Sequence, residues 1–70
     1  MPKTSGNIHN CVQTKRTEAG FTQVELADAV SVTRQTIIAI EKGNYVPSVA
    51  LALRLAAVLS CSVEDLFTEQ

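Results

Sequence analysis

One histidine, two cysteines and three glycines leave little of the chemistry on which small enzymes and metalloproteins rely. Cys11 and Cys61 lie 50 positions apart, with no CxxC spacing and no second histidine, so four soft ligands for a structural zinc are not available. The spacing leaves a disulfide between them open, but a reducing cytosol favours two free thiols, each a small hydrophobe or a surface group. His9 stands near the polar N-terminus with no partner pattern around it. No glycine-rich phosphate loop, paired-carboxylate motif or nucleophile elbow is present. Catalysis has little to stand on, and neither a cofactor nor a metal is expected.

Long apolar runs are missing too. The longest are five residues, 49–53 and 55–59, interrupted by Arg54. A bilayer span needs roughly 20. Residues 1–6 carry one lysine and no apolar stretch, which reads as a frayed tail and not a signal peptide. These absences imply a soluble, cytoplasmic protein with no membrane partner and no evident small-molecule ligand.

What remains is one small domain. With 70 residues, 46% of them apolar and 19% charged, the chain is too hydrophobic to be disordered and too short for two cores. The organisation predicted is an N-terminal flexible tail over residues 1–7, a folded domain over 8–67 and a C-terminal tail over 68–70. Net charge is −1, but its distribution says more. Residues 1–42 hold five cations against four carboxylates, whereas residues 43–70 hold Arg54 against Glu64, Asp65 and Glu69. Any anion-binding face must therefore come from the first two thirds, with the C-terminal segment turned away from it.

No stretch alternates with period two for long enough to make a strand, and helical signals are dense. The spacing predicts an all-α fold, a compact five-helix bundle. The first helix covers residues 8–19, with Ile8 and Val12 on one side and Gly20 as a left-handed stop. Thr22 and Glu25 form a capping box for the second, with Phe21 as staple against Leu26, and Phe21, Leu26, Ala29 and Val30 as its buried stripe. Thr33 caps the third, Ile37 and Ile40 face inward, and Gly43 ends it. Pro47 and Ser48 open a fourth helix to about Leu59, with Leu51, Leu55, Val58 and Leu59 on its inner face. Ser62 with Asp65 makes another capping box, and Val63, Leu66 and Phe67 anchor a last short turn.

Three residues, 30–32, join the second and third helices, the geometry of a helix-turn-helix. The third helix turns Arg34, Gln35, Ile38, Ala39 and Lys42 away from its inward pair. Arginine can fork onto guanine, glutamine onto adenine, and an apolar surface can meet a thymine methyl. Thr22 and Gln23 sit where free backbone N–H groups favour a phosphate. Ile38 has two readings, a thymine-methyl contact or an incidental surface residue.

The run Thr22-Gln23-x-Glu25-Leu26-Ala27, then Val32-Thr33-Arg34-Gln35-Thr36-Ile37, then Ile40-Glu41-Lys42-Gly43 with Pro47-Ser48, resembles the lambdoid phage repressor and Cro regulators, the XRE family. The resemblance covers about residues 8–67. It implies a lambda repressor-like DNA-binding domain whose partner is double-stranded DNA. It implies further that Gln23 bonds a DNA phosphate and braces the recognition helix, and that Arg34, Gln35 and Ala39 face bases. Thr33 becomes a cap with a possible phosphate or methyl contact, and Lys42, Asn44 and Tyr45 fall in a segment resting on the DNA backbone. Arg16 and Glu41 match a buried ion pair. Two departures stand out: Ser31 occupies a turn position usually held by glycine, which calls for a left-handed backbone at some cost or a shifted turn, and Ser60-Cys61 replaces Gly-Val.

The fourth helix carries apolar surface beside its inner stripe, at Val49, Ala52, Leu53 and Ala56. With Leu66 and Phe67 this is either a subunit contact or a crowded core. Because relatives pair through C-terminal helices, Val49, Leu53, Leu66 and Phe67 are expected at a homodimer contact. The function expected is a sequence-specific transcriptional regulator, a repressor reading the major groove with its third helix. The alternative is a protein-binding adaptor or antitoxin-like partner on the same fold.

Overall fold

In a computed structural model, which describes residues 8–69, the chain runs β1 (Ile8–Asn10), α1 (Val12–Glu18), α2 (Gln23–Ala29), α3 (Arg34–Glu41), α4 (Val49–Val58), α5 (Val63–Leu66) and β2 (Phe67–Glu69). The expected tail over residues 1–7 lies outside the described residues. All five predicted helices form, each near its expected place.

The capping signals act as the sequence promised. Thr22 accepts from the Glu25 N–H while Glu25 accepts from that of Thr22, and Ser62 and Asp65 repeat the arrangement before α5. Thr33 and Ser48 cap α3 and α4 through their hydroxyls. Each such cap contributes about 1 kcal/mol. The helix exits share one geometry. At the ends of α1 to α4 a left-handed residue follows the cap: Gly20 at φ 84°, Ser31 at 64°, Gly43 at 80° and Ser60 at 58°. The next residue's N–H then reaches back to the helix, as Phe21 does to Arg16, Val32 to Ala27, Asn44 to Ala39 and Cys61 to Ala56. This is the Schellman closure, which satisfies carbonyls that the helix leaves free.

The all-α expectation fails at the two ends. Ile8, His9 and Asn10 pair antiparallel with Glu69, Thr68 and Phe67. The first helix accordingly starts at Val12 and not at Ile8, and Thr68 and Glu69 belong to a strand and not to a tail. Asn10 makes the switch from strand to helix possible. Its carboxamide oxygen accepts from the Val12 N–H at 3.2 Å, while its nitrogen donates to the Ile40 carbonyl at 2.8 Å. The Cys11 N–H closes onto the Leu66 carbonyl at 2.8 Å. The start of α1 is thus tied to the end of α3 and to α5.

Val12, Leu26, Val30, Ile37, Ile40, Leu55 and Leu66 are the most deeply buried side chains, joined by Ala27, Leu51, Ala56 and Leu59. Full burial of a leucine or isoleucine contributes about 1.5–3 kcal/mol, which lets so short a chain hold one aliphatic core. Phe21 and Val58 pack partly buried against it, but Ala29, expected in the stripe of α2, faces solvent. On α4, Ala52 and Ala56 belong to the interior. Of the four apolar residues expected beside the inner stripe, Val49 and Leu53 face out, 77% and 57% exposed.

Candidate nucleic-acid interface

Helix α2 closes on Val30, the chain turns at Ser31, and Thr33 caps α3. Of the two outcomes open at this position, a left-handed residue or a shifted turn, Ser31 takes the left-handed backbone. Beside it Val32 is half-buried against the core, pinning the turn. From α4, Arg54 donates to the Val30 carbonyl at 3.1 Å and holds the turn from behind. With Ile37 and Ile40 sunk in the core, the opposite side of α3 is fixed outward. There Arg34, Gln35 and Lys42 are exposed, and Ile38 and Ala39 are half-buried between them. Past Gly43, Asn44 and Tyr45 are also exposed. They combine with Gln35, Thr36 and Ala39 to line a shallow depression of about 330 Å³. Gln35 and Ala39 of α3 thus share one depression with Asn44 and Tyr45.

Behind that surface runs a chain of side-chain hydrogen bonds. The Arg16 guanidinium donates through Nε to Glu41 Oε2 at 2.7 Å and through Nη2 to Oε1 at 3.3 Å. Its third bond, from Nη1, goes to the Phe21 carbonyl at 3.0 Å. Both side chains of this pair are at most one tenth exposed, so the fork geometry and full satisfaction matter. Glu41 Oε1 also accepts from Gln23 Nε2 at 3.1 Å. Gln23 Oε1 in turn accepts from Arg34 Nε at 3.3 Å. A buried ion pair is linked through one carboxamide to the leading arginine of α3. The pairing of Arg16 with Glu41 was legible by resemblance. The bond between Gln23 and Glu41, 18 positions apart, had no local signal, and neither did those of Asn10 and Arg54.

Thr22 serves as a helix cap: its hydroxyl accepts from the Glu25 N–H at 3.0 Å and its N–H donates to the Glu25 carboxylate at 2.8 Å. Two of the four N–H groups that a phosphate would seek at the start of α2 are thereby bonded internally. Thr33 holds the Thr36 N–H, and its hydroxyl lies 3.2 Å from that of Thr36.

Residues 12–66 match the family described as Helix-turn-helix. The chain belongs to the helix-turn-helix family. It is similar to two proteins named as uncharacterized HTH-type transcriptional regulators. One is YgzD of Bacillus subtilis, 48% identical over 60 residues that make up 86% of this chain and 91% of YgzD. The other, from Methanothermobacter thermautotrophicus, is 54% identical over 61 residues, 86% of this chain and 88% of its own length. Among solved structures it is similar to the clp gene regulator ClgR from Corynebacterium glutamicum, with a TM-score of 0.73 and 30% identity. That likeness covers 77% of this chain and 57% of the ClgR chain.

The helix-turn-helix surface does not include the expected subunit-contact residues, which lie on α4, α5 and β2. One of them is corrected by its burial. Leu66 is 1% exposed and packs within the core, so it has no face to offer a partner. Val49 and the half-buried Phe67 instead border a separate apolar groove of about 170 Å³, completed by Ile8, Val46, Pro47, Ala52 and Val63. The cysteines are free thiols. Burial, and secondarily the Asp65 carboxylate, pushes the Cys61 thiol up, away from the reactive thiolate. Among the described residues no three histidine, cysteine or carboxylate groups gather as a metal site, and no helix is long and apolar enough to cross a membrane.

Proposed function

We propose that this helix-turn-helix protein is a sequence-specific DNA-binding transcriptional regulator that works as a repressor and a homodimer in the cytoplasm. The family and the names of its relatives, all regulators and none an enzyme, support the regulatory reading. The observation that carries it is the outward side of α3, where Arg34 and Gln35 are exposed on a helix anchored from behind by Ile37 and Ile40, with Lys42, Asn44 and Tyr45 exposed just past its end. An α-helix fills the major groove of B-DNA, where a guanidinium and a carboxamide find matched acceptors and donors. In this reading Arg34, Gln35, Ile38 and Ala39 meet bases, and Thr33, Lys42, Asn44 and Tyr45 meet the backbone. A small head seated in the groove excludes other proteins from the same site, which supports repression over activation.

Dimerisation rests on Val49 and Leu53, two large apolar groups that the monomer leaves in water, with Phe67 at the neighbouring groove. A two-fold dimer of such heads reads half-sites about 34 Å apart, one turn of the duplex. The acidic groups at Glu64, Asp65 and Glu69 then sit on the helices and strand that do not carry the reading surface. Selection from a random duplex pool, followed by binding at rising salt, tests the proposal. A two-fold symmetric consensus is expected, with affinity falling moderately as salt rises because each subunit offers few cations. If Arg34→Ala bound the selected duplex as tightly and selectively as the parent, the reading would be sunk.

A protein-binding adaptor, antitoxin-like, is the second reading, and the exposed apolar face of α4 with its adjoining groove favours it. Co-purification of a stoichiometric protein partner, with no duplex retarded at low salt, would put it first.

A further inference from the structure

We propose that Arg54 is a positioning residue which holds the turn before α3 in its left-handed form and thereby aims Arg34 and Gln35 at the duplex. This rests on the DNA-binding reading above and gives a task to the one cation of residues 43–70. Serine is ill suited to φ 64°, because its Cβ crowds the backbone there. Turning over the planar peptide between Val30 and Ser31 would relieve the crowding. It would bring that φ to negative values and send the Val30 carbonyl to the opposite side. In the structure both ends of this peptide are held. The Ser31 N–H donates to the Asp28 carbonyl at 3.3 Å, and the Val30 carbonyl accepts from Arg54 Nε at 3.1 Å. Val30 is fully buried, so its carbonyl relies on Arg54 and not on water. A guanidinium also suits the negative end of α2. Among the described residues Arg54 forms no ion pair that would draw it elsewhere.

Of the four left-handed helix exits, Gly20 and Gly43 carry no Cβ and need no such hold. Ser60 closes α4 with the same backbone bonds as Ser31, its own N–H reaching Ala57 and that of Cys61 reaching Ala56. Yet among the described residues a side chain bonds the carbonyl before the left-handed residue at Val30 alone. The turn at Ser60 leads to α5, whereas the turn at Ser31 leads to α3. The extra hold thus falls on the serine exit that sets the reading helix. The Val32 N–H reaches the Ala27 carbonyl at 3.0 Å while Ser31 stays left-handed, and that closure places Thr33, the cap of α3. Apparent affinity for a duplex scales with the fraction of molecules whose turn is so set.

The experiment titrates the selected duplex with the parent, Arg54→Met, Ser31→Gly and the double variant, at a temperature where circular dichroism finds each fully folded. Arg54→Met is expected to lose about 10-fold in affinity, the worth of one hydrogen bond from a charged donor. Its slope of affinity against salt should match the parent's, because no phosphate contact is lost. In the Ser31→Gly background the same substitution should cost only about twofold, since glycine keeps the left-handed form without a latch. A loss equal in both backgrounds would overturn the proposal, and a salt slope lowered by about one contact would assign Arg54 to a DNA phosphate instead. Unchanged affinity in Arg54→Met would overturn it too, while the regulator reading stands. Failure to select any duplex would remove both. Should Arg54→Met not fold, Arg54→Gln decides, because the glutamine amide nitrogen occupies the place of Nε and donates without charge. Affinity within about threefold of the parent supports the proposal, and a loss of about 10-fold refutes it.

Discussion

The outward faces of α3 and α4 are built on opposite plans, although the same core anchors both helices. On α3 the exposed groups are polar or charged, and Arg34 is reached by a chain of hydrogen bonds that starts inside the protein. On α4 Val49 and Leu53 stand in solvent as bare aliphatic surface. The first plan fixes directions, as recognition of a hydrogen-bonding pattern requires. The second offers area without direction, which suits a self-complementary contact. The difference teaches that one core can carry a face whose leading side chain is tied to the interior beside a face that is left bare.

The largest effect should come from cutting the polar chain at its root. Glu41→Ala strands the Arg16 guanidinium in a site only one tenth exposed, and a loss of about 3–5 kcal/mol is expected in denaturant unfolding. The pair is costly to break on one side only. Replacing Arg16 and Glu41 together by methionine and leucine should recover much of the stability. Next in size is Leu53→Glu on the apolar face. It should leave the monomer's stability within about 0.5 kcal/mol of the parent, because the side chain is exposed. In sedimentation it should shift the protein to monomer; an unchanged mass would remove α4 from the subunit contact. Arg34→Ala does the reverse on the other face. Operator affinity should fall by about 1–3 kcal/mol in a gel-shift titration, with the unfolding midpoint little changed.

A smaller prediction tests whether the two regions bear backbone strain alike. Ser31 lies in the turn before α3 and Ser60 after α4, both left-handed and both exposed. Glycine removes the Cβ conflict, worth about 1–2 kcal/mol, but adds freedom to the unfolded chain worth about 0.5–1. Ser31→Gly and Ser60→Gly should each stabilise by about 0.5–1 kcal/mol in thermal unfolding, additively. The least effect belongs to acid. Hydrogen bonds from Ser62, first its backbone N–H and then its hydroxyl, hold the Asp65 carboxyl below its ordinary value of 3.8. A depressed value means support that is present above 3.8 and lost as pH falls through the lower, folded value. Amide signals of α5 and β2 should therefore shift in that acid range, and Ser62→Ala should move the Asp65 titration back up.

Sequence reasoning reached the helices because their signals are local. Thr22 with Glu25 and Ser62 with Asp65 sit three apart, and Gly20 and Gly43 mark their exits without reference to anything distant. The demand placed on Ser31 was equally local. The strands escaped because three residues are too few for an alternating pattern, and the pairing of Ile8 with Glu69 joins positions 61 apart. Leu66 was assigned to a subunit contact for a related reason. Its apolar character was plain, but whether it points inward depends on the turn at Ser60 and the pairing of β2. The outward face of α3 was visible in the order of its residues. Its support, Glu41 to Gln23 and Arg54 to Val30, spans 18 and 24 positions and carries no repeating spacing.

The pairing of Ile8 with Glu69 has a practical corollary. Directly opposed residues of an antiparallel pair lie about 5 Å apart, so the domain's entry and exit share one corner. Ile8 and Phe67, from the two paired strands, both line the apolar groove at this corner. A short linker from Glu69 to Ile8 should suffice to join the two strands and open the chain elsewhere. The segment between Asn44 and Ser48 is the natural place for new termini, since it is the longest stretch between elements.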